Sequence, residues 1–280
     1  MNTADKFSGK RVLITGSGTG IGREIALEFA RQGADVVVHY AHDAKGARSA
    51  VEEIRAMGRR SEAFAADFDR VEEAVKLGDH AVEFLGGIDC LVNNSGISFN
   101  KPFFDVTLEQ FDRLYHVNLR AQFFLTQRIA RDMLKHGGGA ICNITSIHGV
   151  SGAPEHSVYA ATKGAIIAYT RSLAVELAHK GIRINAIAPG WVTVENYYKA
   201  LPGFNEEDAR KDAAEKVPLG RSGTKLEIAK LAAFLCSDDA AYIVGQTVVA
   251  DGGTTALMSL ISDFRNPSSA KFGTGYVPGV

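Results

Sequence analysis

Arg11-Val-Leu-Ile-Thr15-Gly16-Ser17-Gly18-Thr19-Gly20-Ile21-Gly22 is the stretch that decides the fold. Arg11 to Thr15 is a short apolar run and the glycines permit a tight turn. Apolar residues then recur at Ile21, Ile25, Ala26 and Phe29, the spacing of one helix face. This reads as a strand, a glycine-rich turn and a helix. The same alternation repeats outward along the chain. Further β-runs are expected at 34–39, 62–66, 88–92, 140–145, 182–188 and 246–250, and helices near 44–57, 70–85, 107–135, 157–179 and 224–236. Strands alternating with amphipathic helices predict a parallel sheet covered on both faces, because each right-handed crossover returns its helix to the sheet. The expectation is a single doubly wound α/β domain with a seven-stranded parallel sheet flanked by helices.

No Pro- or Ser-rich linker divides the 280 residues, so 1–255 are read as one catalytic domain and 256–280 as a tail without a clear period. Residues 190–222, containing Trp191, Tyr197, Tyr198 and Pro202, are long for a strand-to-helix connection and are expected to form a lid. With 31 basic and 32 acidic side chains the formal net charge is -1, which disfavours nucleic acid and anionic membranes as partners. The start lacks a signal-peptide pattern and no apolar run is long enough to span a bilayer, so a cytoplasmic protein is expected. Cys90, Cys142 and Cys236 lie far apart in apolar segments and read as reduced thiols. No His/Cys cluster suggests a metal.

Glycines between a strand end and a helix N-terminus let the backbone approach a diphosphate, which the unpaired helix N–H groups then bind. The spacing Gly16-x-x-x-Gly20-x-Gly22 resembles the short-chain dehydrogenase/reductase family, whose first turn reads T-G-x-x-x-G-x-G. Asp67, beside Phe68, is similar to that family's adenine-contacting acid. Asn93-Asn94-Ser95-Gly96 resembles its N-N-A-G signature, with serine in place of alanine. Pro189-Gly190, with Val192 and Thr193, resembles its P-G turn and cofactor-binding threonine, and Asp251-Gly252-Gly253 its usual ending to the last strand. The resemblance covers nearly the whole chain and implies a Rossmann-like fold holding NAD(P). The cofactor would lie against Gly16, Ser17, Thr19, Gly20, Ile21, Tyr40, His42, Asp67, Phe68, Asn94, Ser95, Gly96, Tyr159, Lys163, Pro189, Gly190, Val192 and Thr193. Tyr40 stands where an NAD enzyme has the acid that binds the ribose 2′-OH. Its absence removes a repulsion against a 2′-phosphate, so NADP is expected ahead of NAD, with dual use left open. His42 and Lys45 could add positive charge there.

Tyr159 and Lys163 lie four residues apart on one helix face, Ser146 lies 13 residues upstream of the tyrosine, and Asn118 belongs to the preceding helical region. In the family resembled, Asn, Ser, Tyr and Lys in this order form a catalytic tetrad. A phenol with a pKa near 10 is a poor base at neutral pH, and each unit of depression takes about 1.4 kcal/mol of preferential phenolate stabilisation, which a neighbouring ammonium supplies. The implied reaction is hydride transfer between nicotinamide and a secondary alcohol or ketone, with Tyr159 moving the proton, Ser146 orienting the reacting oxygen and Asn118 positioning a relay water. Ser98, Ser146, His148, Glu155, His156, Trp191 and Asn196, with Glu195, would surround the reacting end, a polar set suited to a sugar, sugar acid or polyol. Two alternatives stand beside this. One is reduction of a 3-oxoacyl group on acyl-carrier protein, with Arg128, Arg131 and Lys135 available but Val175 where a basic residue would help. The other is a nucleotide-binding regulator without turnover. The resemblance also implies a homotetramer built through 107–135, 157–179 and the last strand.

Overall fold

The computed structural model describes residues 5–195 and 203–257. Seven strands, β1 Arg11–Ile14, β2 Asp35–Tyr40, β3 Ser61–Ala65, β4 Cys90–Asn93, β5 Gly139–Ile144, β6 Ile182–Pro189 and β7 Thr247–Ala250, form one sheet in the order β3-β2-β1-β4-β5-β6-β7. Every neighbouring pair is parallel; Val12 of β1 registers with Val36 on one side and Cys90 on the other. The order reverses between β1 and β4. That places a crevice beyond their C-terminal ends, where such sheets bind ligands.

The period of two along β1 assigns its side chains to the two faces. Val12 and Ile14 join a core with Ile25 and Phe29 of α1 (Gly20–Arg31), Ala47 and Ile54 of α2 (Ala44–Ala56), and Ile228 and Ala232 of α8 (Lys225–Cys236). Leu13 points the other way. It packs with Leu77 of α3 (Val71–Leu85), Leu125 and Ile129 of α5 (Ala121–Met133), and Ala174 of α6 (Ser157–Leu177). Each fully buried Leu, Ile or Phe stabilises this two-sided arrangement by about 1.5–3 kcal/mol. Cys90, Cys142 and Cys236 are buried free thiols.

Two departures from the sequence expectation matter for the site. The helical region expected over 107–135 is α4 (Leu108–Tyr115) and α5 joined by a π-helical turn at His116–Arg120. The segment 190–222 contains α7 (Glu206–Lys216), an almost wholly exposed helix with Ala213 buried. Apolar periodicity cannot reveal such a helix. It is held by an Asn205 cap, three acids in its first turn and i,i+4 ion pairs Arg210–Glu206, Lys211–Glu207 and Lys216–Asp212. Residues 196–202 of the expected lid and most of the tail, 258–280, lie outside the described residues.

Candidate active site

The crevice is built on hydrogen bonds between strand ends, most of them made by the Thr15 and Asn94 side chains. Thr15 N–H donates to Val92 C=O (3.0 Å), and Thr15 Oγ1 accepts from the N–H groups of Asn94 (2.9 Å) and Ser95 (3.0 Å). Asn94 Nδ2 donates to the carbonyls of Thr15 (3.0 Å) and Gly16 (3.1 Å). The turn therefore has no spare room. A Cβ on Gly22 would lie 2.3 Å from Gly16 O and 2.4 Å from Asn94 Nδ2, and Gly16 itself has φ +63°.

Thr19 is the N-cap of α1 and makes no side-chain cap, so the helix N-terminus faces the crevice without an internal hydroxyl partner. A hollow of 240 Å³ lies there, lined by Gly18, Thr19, Gly20, Arg23, Glu195 and Lys225. The glycine cradle and the helix N-terminus suit a dinucleotide diphosphate, while Arg23 and Lys225 are paired with Glu53 and Glu195 and Glu24 also lines the hollow. Glu195 does not face the reacting end; it pairs with Lys225 over this turn. Burial disfavours its charge, yet the Lys225 hydrogen bond and backbone N–H groups, including that of Gly20, hold its pKa below the ordinary range. Ile21 is half-buried against the core. Ser17 turns inward: its hydroxyl donates to Ile14 C=O (2.7 Å) and its N–H to His39 C=O (2.9 Å), so it shapes the turn from beneath.

At the end of β2, Tyr40 is half-buried and registers with Ala65, while His42 and Lys45 are exposed. Asp43, the next acid, uses a carboxylate oxygen to cap α2 at Gly46 N–H (2.8 Å). Asp67 is half-buried and accepts from Asp69 N–H (3.1 Å), and Phe68 is buried against the ring of His39. Beyond β6, Pro189 registers with Ala250 and Gly190 N–H donates to Ala250 C=O (2.9 Å). Val192 is buried and bridges to Gly223. Thr193 is half-buried; the side chain brought over Gly20 is that of Val194.

The tetrad residues converge on the C-terminal ends of β4 and β5. Asn118 sits in the π-helical turn, fully buried. Its Oδ1 accepts Ile97 N–H (2.8 Å), and its Nδ2 donates to Ile97 C=O (2.9 Å) and Thr162 Oγ1 (3.2 Å). A Cβ placed on Gly96 would lie 3.3 Å from that Oδ1 and 3.5 Å from Lys163 Nζ, so all three face one another. Lys163 is buried, donates to Ile144 C=O (3.0 Å) and carries its Nζ 5.6 Å from the Tyr159 ring centroid. Burial pushes its pKa down to about 8. Ser146, also buried, accepts His148 N–H at its Oγ (3.2 Å), and neighbouring Thr145 donates to Lys163 C=O (2.8 Å), which ties the end of β5 to α6.

His148 and His156 stack with ring centroids 4.4 Å apart and planes 9° from parallel, and both meet Tyr159 edge-on at 5.8 and 6.4 Å. Burial, then the neighbouring His156, lowers the pKa of His148. Glu155 is exposed at φ +63°, its carbonyl accepting Lys101 N–H (3.0 Å). Ser98 is exposed, Trp191 half-buried, and Asn196 lies outside the described residues. Three contributors gave little sequence signal: His39 beneath the glycine turn, Lys225 at the start of α8, and the π-helical turn that carries Asn118. A polar residue directly after the apolar run Val36–Val38 was the one clue to His39.

A sequence profile described as enoyl-(acyl carrier protein) reductase matches residues 16–255. A hydroxynaphthalene reductase-like protein of Metarhizium robertsii is 39% identical over 260 residues, 90% of this chain and 97% of its own. A solved short-chain dehydrogenase of Burkholderia cenocepacia in complex with NADP superposes with TM-score 0.82 at 32% identity, covering 90% of this chain and all of that one. The chain belongs to the short-chain dehydrogenase/reductase family. A 7α-hydroxysteroid dehydrogenase complexed with NADH and 7-oxo glycochenodeoxycholic acid is similar too, with TM-score 0.83, 36% identity and coverage of 90% and 97%. This short-chain dehydrogenase/reductase is thus an NAD(P)-dependent oxidoreductase acting on CH–OH and C=O groups. Among its described residues no helix is long and apolar enough to cross a membrane.

Proposed function

We propose that this enzyme interconverts a ketone and a secondary alcohol with NADP(H), Tyr159 giving the proton to the carbonyl oxygen in reduction and taking it back in oxidation. The observation that carries the reading is the buried Lys163 one helical turn from Tyr159, its Nζ 5.6 Å from the ring centroid and anchored on Ile144 C=O. Bound nicotinamide supplies or accepts the hydride. The ammonium favours the phenolate left when Tyr159 gives up its proton. Ser146 orients the reacting oxygen, and Asn118, with one Oδ1 lone pair beyond its bond from Ile97, holds a relay water. Gly16, Thr19, Gly20, Asn94, Ser95 and Gly96 present the surface on which the dinucleotide lies. The absence of an acid at Tyr40 and the capping duty of Asp43 support NADP, as does the NADP in the Burkholderia relative.

A polar set around Tyr159 suits a hydroxylated substrate. Between a sugar or polyol and a flat hydroxylated ring ketone, the parallel imidazoles of His148 and His156 beside Tyr159 favour the ring, as does the name of the Metarhizium relative. The 3-oxoacyl carrier reading is weakened by Arg128, already paired with Asp79, and by the exposed aliphatic Val175. Copies of the chain associate through α4, α5 and α6, where Tyr115, Leu119, Phe123, Phe124 and Tyr169 line a largely apolar hollow of 450 Å³. Sedimentation as a monomer would refute that association.

The test follows nicotinamide absorbance with NADPH and NADH, offering bicyclic hydroxyketones, sugars and polyols, and 3-oxoacyl thioesters to wild type and Tyr159→Phe. Ring ketones are expected to turn over in the wild type. In the variant, turnover falls by about 10³-fold with nucleotide affinity kept. Turnover of sugars alone restores the polyol reading; nucleotide binding with no turnover of any class leaves the regulator.

A further inference from the structure

His39 is 1% exposed, next to the last residue of β2 and directly after the apolar run Val36–Val38, and each of its polar groups is engaged. Nδ1 accepts the N–H of Gly16 (2.9 Å), the first residue of the glycine turn, and the Ser95 hydroxyl after β4 lies 3.3 Å from the same nitrogen. Nε2 lies 2.9 Å from the carbonyl of Ala66, beside Asp67. A backbone N–H can only donate and a carbonyl can only accept, so the imidazole is the neutral tautomer with its proton on Nε2. The main chain of His39 is engaged as well: its C=O accepts Ser17 N–H (2.9 Å) and its N–H donates to Ser17 Oγ (3.0 Å). The ring lies flat on Phe68 with centroids 4.4 Å apart. One side chain thus joins the turn after β1, the segment after β3 and the segment after β4.

We infer that His39 is a positioning residue for the dinucleotide, fixing through Gly16, Ala66 and Ser95 the three segments on which the cofactor lies. The inference rests on the dinucleotide reading of the crevice. The His39 ring is enclosed beneath the turn and acts by giving the part-buried Gly16 N–H an acceptor, without which the first residue of the turn would lose its protein partner. The serine standing for alanine in Asn94-Ser95-Gly96 has a local reason under this inference, because its hydroxyl donates to the nitrogen that holds Gly16. Burial keeps the ring neutral, with its pKa pushed down to about 4, so Nδ1 stays available as an acceptor.

The test compares full-length wild type with His39→Asn, His39→Gln and His39→Leu. The Asn oxygen falls near Nδ1 and can accept Gly16 N–H. The Gln amide reaches towards Ala66 and leaves Gly16 without an acceptor. Leu provides neither contact. The dissociation constant for NADPH should stay within about threefold of wild type for Asn, weaken about tenfold for Gln, and weaken tenfold to a hundredfold for Leu. Turnover at saturating NADPH should stay within about threefold for each variant that folds, so that the loss is confined to the cofactor KM. Should the Leu variant fail to fold, the Asn and Gln pair carries the test, and equal affinities for the two overturn the inference. Lower melting temperatures with unchanged NADPH affinity also overturn it, leaving a purely structural histidine. A wild type that binds neither nucleotide removes the dinucleotide reading itself, a result distinguishable from both.

Discussion

The half of the sheet around β1, β2 and β3 and the half around β5, β6 and α6 hold their functional groups by different means. In the first, the glycine turn is close-packed: Gly16, Gly22, Thr15 and the Asn94 side chain fit so closely that a single methyl group would collide with a carbonyl. In the second, side chains converge from separate elements, with Tyr159 and the buried Lys163 on α6, the buried Ser146 at the end of β5 and the two histidines stacked beyond them. Close backbone packing leaves little freedom for change, whereas a crevice lined by side chains can be re-lined without disturbing the sheet.

Three measurements would break or sharpen the contrast. The largest effect is expected from Gly22→Ala, whose methyl carbon would meet Gly16 O and Asn94 Nδ2 inside bonding-scale distances. Overpacking of this kind costs about 1–3 kcal/mol of stability, and nucleotide affinity should fall by about a hundredfold. Urea unfolding and nucleotide titration read the two effects, and wild-type values in both would show the turn to be no tighter than the other half.

Acid should also act first on the cofactor half. His39 has a folded pKa of about 4 against an ordinary 6.5, so its neutral contribution is complete above pH 6.5 and is lost as pH falls from 6.5 to 4. Its described neighbours are the Gly16 amide, the Ser95 hydroxyl, the Ala66 carbonyl and the Phe68 ring, none of them charged. Between pH 7 and pH 4 the wild type should lose about 2–3 kcal/mol more than His39→Asn. Parallel pH curves for the two proteins would contradict this. The smallest effect belongs to Glu195→Gln, which removes a negative charge from the Gly20 turn. Nucleotide affinity should rise about two- to fivefold at low salt, with the gain shrinking as salt is added. An unchanged or weakened affinity would separate Glu195 from the diphosphate site.

The two halves also differed in how far the sequence disclosed them. Strands and glycine turn were readable because they follow fixed periods that backbone geometry imposes, whereas the set Asn118, Ser146, Tyr159 and Lys163 was readable through its resemblance to the family. His39 was not readable as a positioning residue, since its partners Gly16, Ala66 and Ser95 are assembled only when three strands align. Glu195 was placed with the reacting end on sequence proximity alone, and its ion pair with Lys225, 30 residues later, draws it to the glycine turn instead. Helix α7 has almost no apolar period, and its signal lay in capping and charge pairs. The substrate crevice stayed illegible because exposed side chains such as Ser98 and Glu155 carry no periodic constraint.

The π-helical turn at His116–Arg120 has a consequence for how this chain can vary. An extra residue in a helix advances everything after it by about 100°, so the angular setting of α5 relative to α4 is stored in a single surplus position. Substitutions on either helix leave that setting intact; removal of one residue anywhere in the turn would rewind it. Asn118 would then leave Ile97, and the face of α5 that meets α3 would rotate towards solvent. This enzyme should therefore accept many exchanges of residue type along α4 and α5 and almost no change in their combined length.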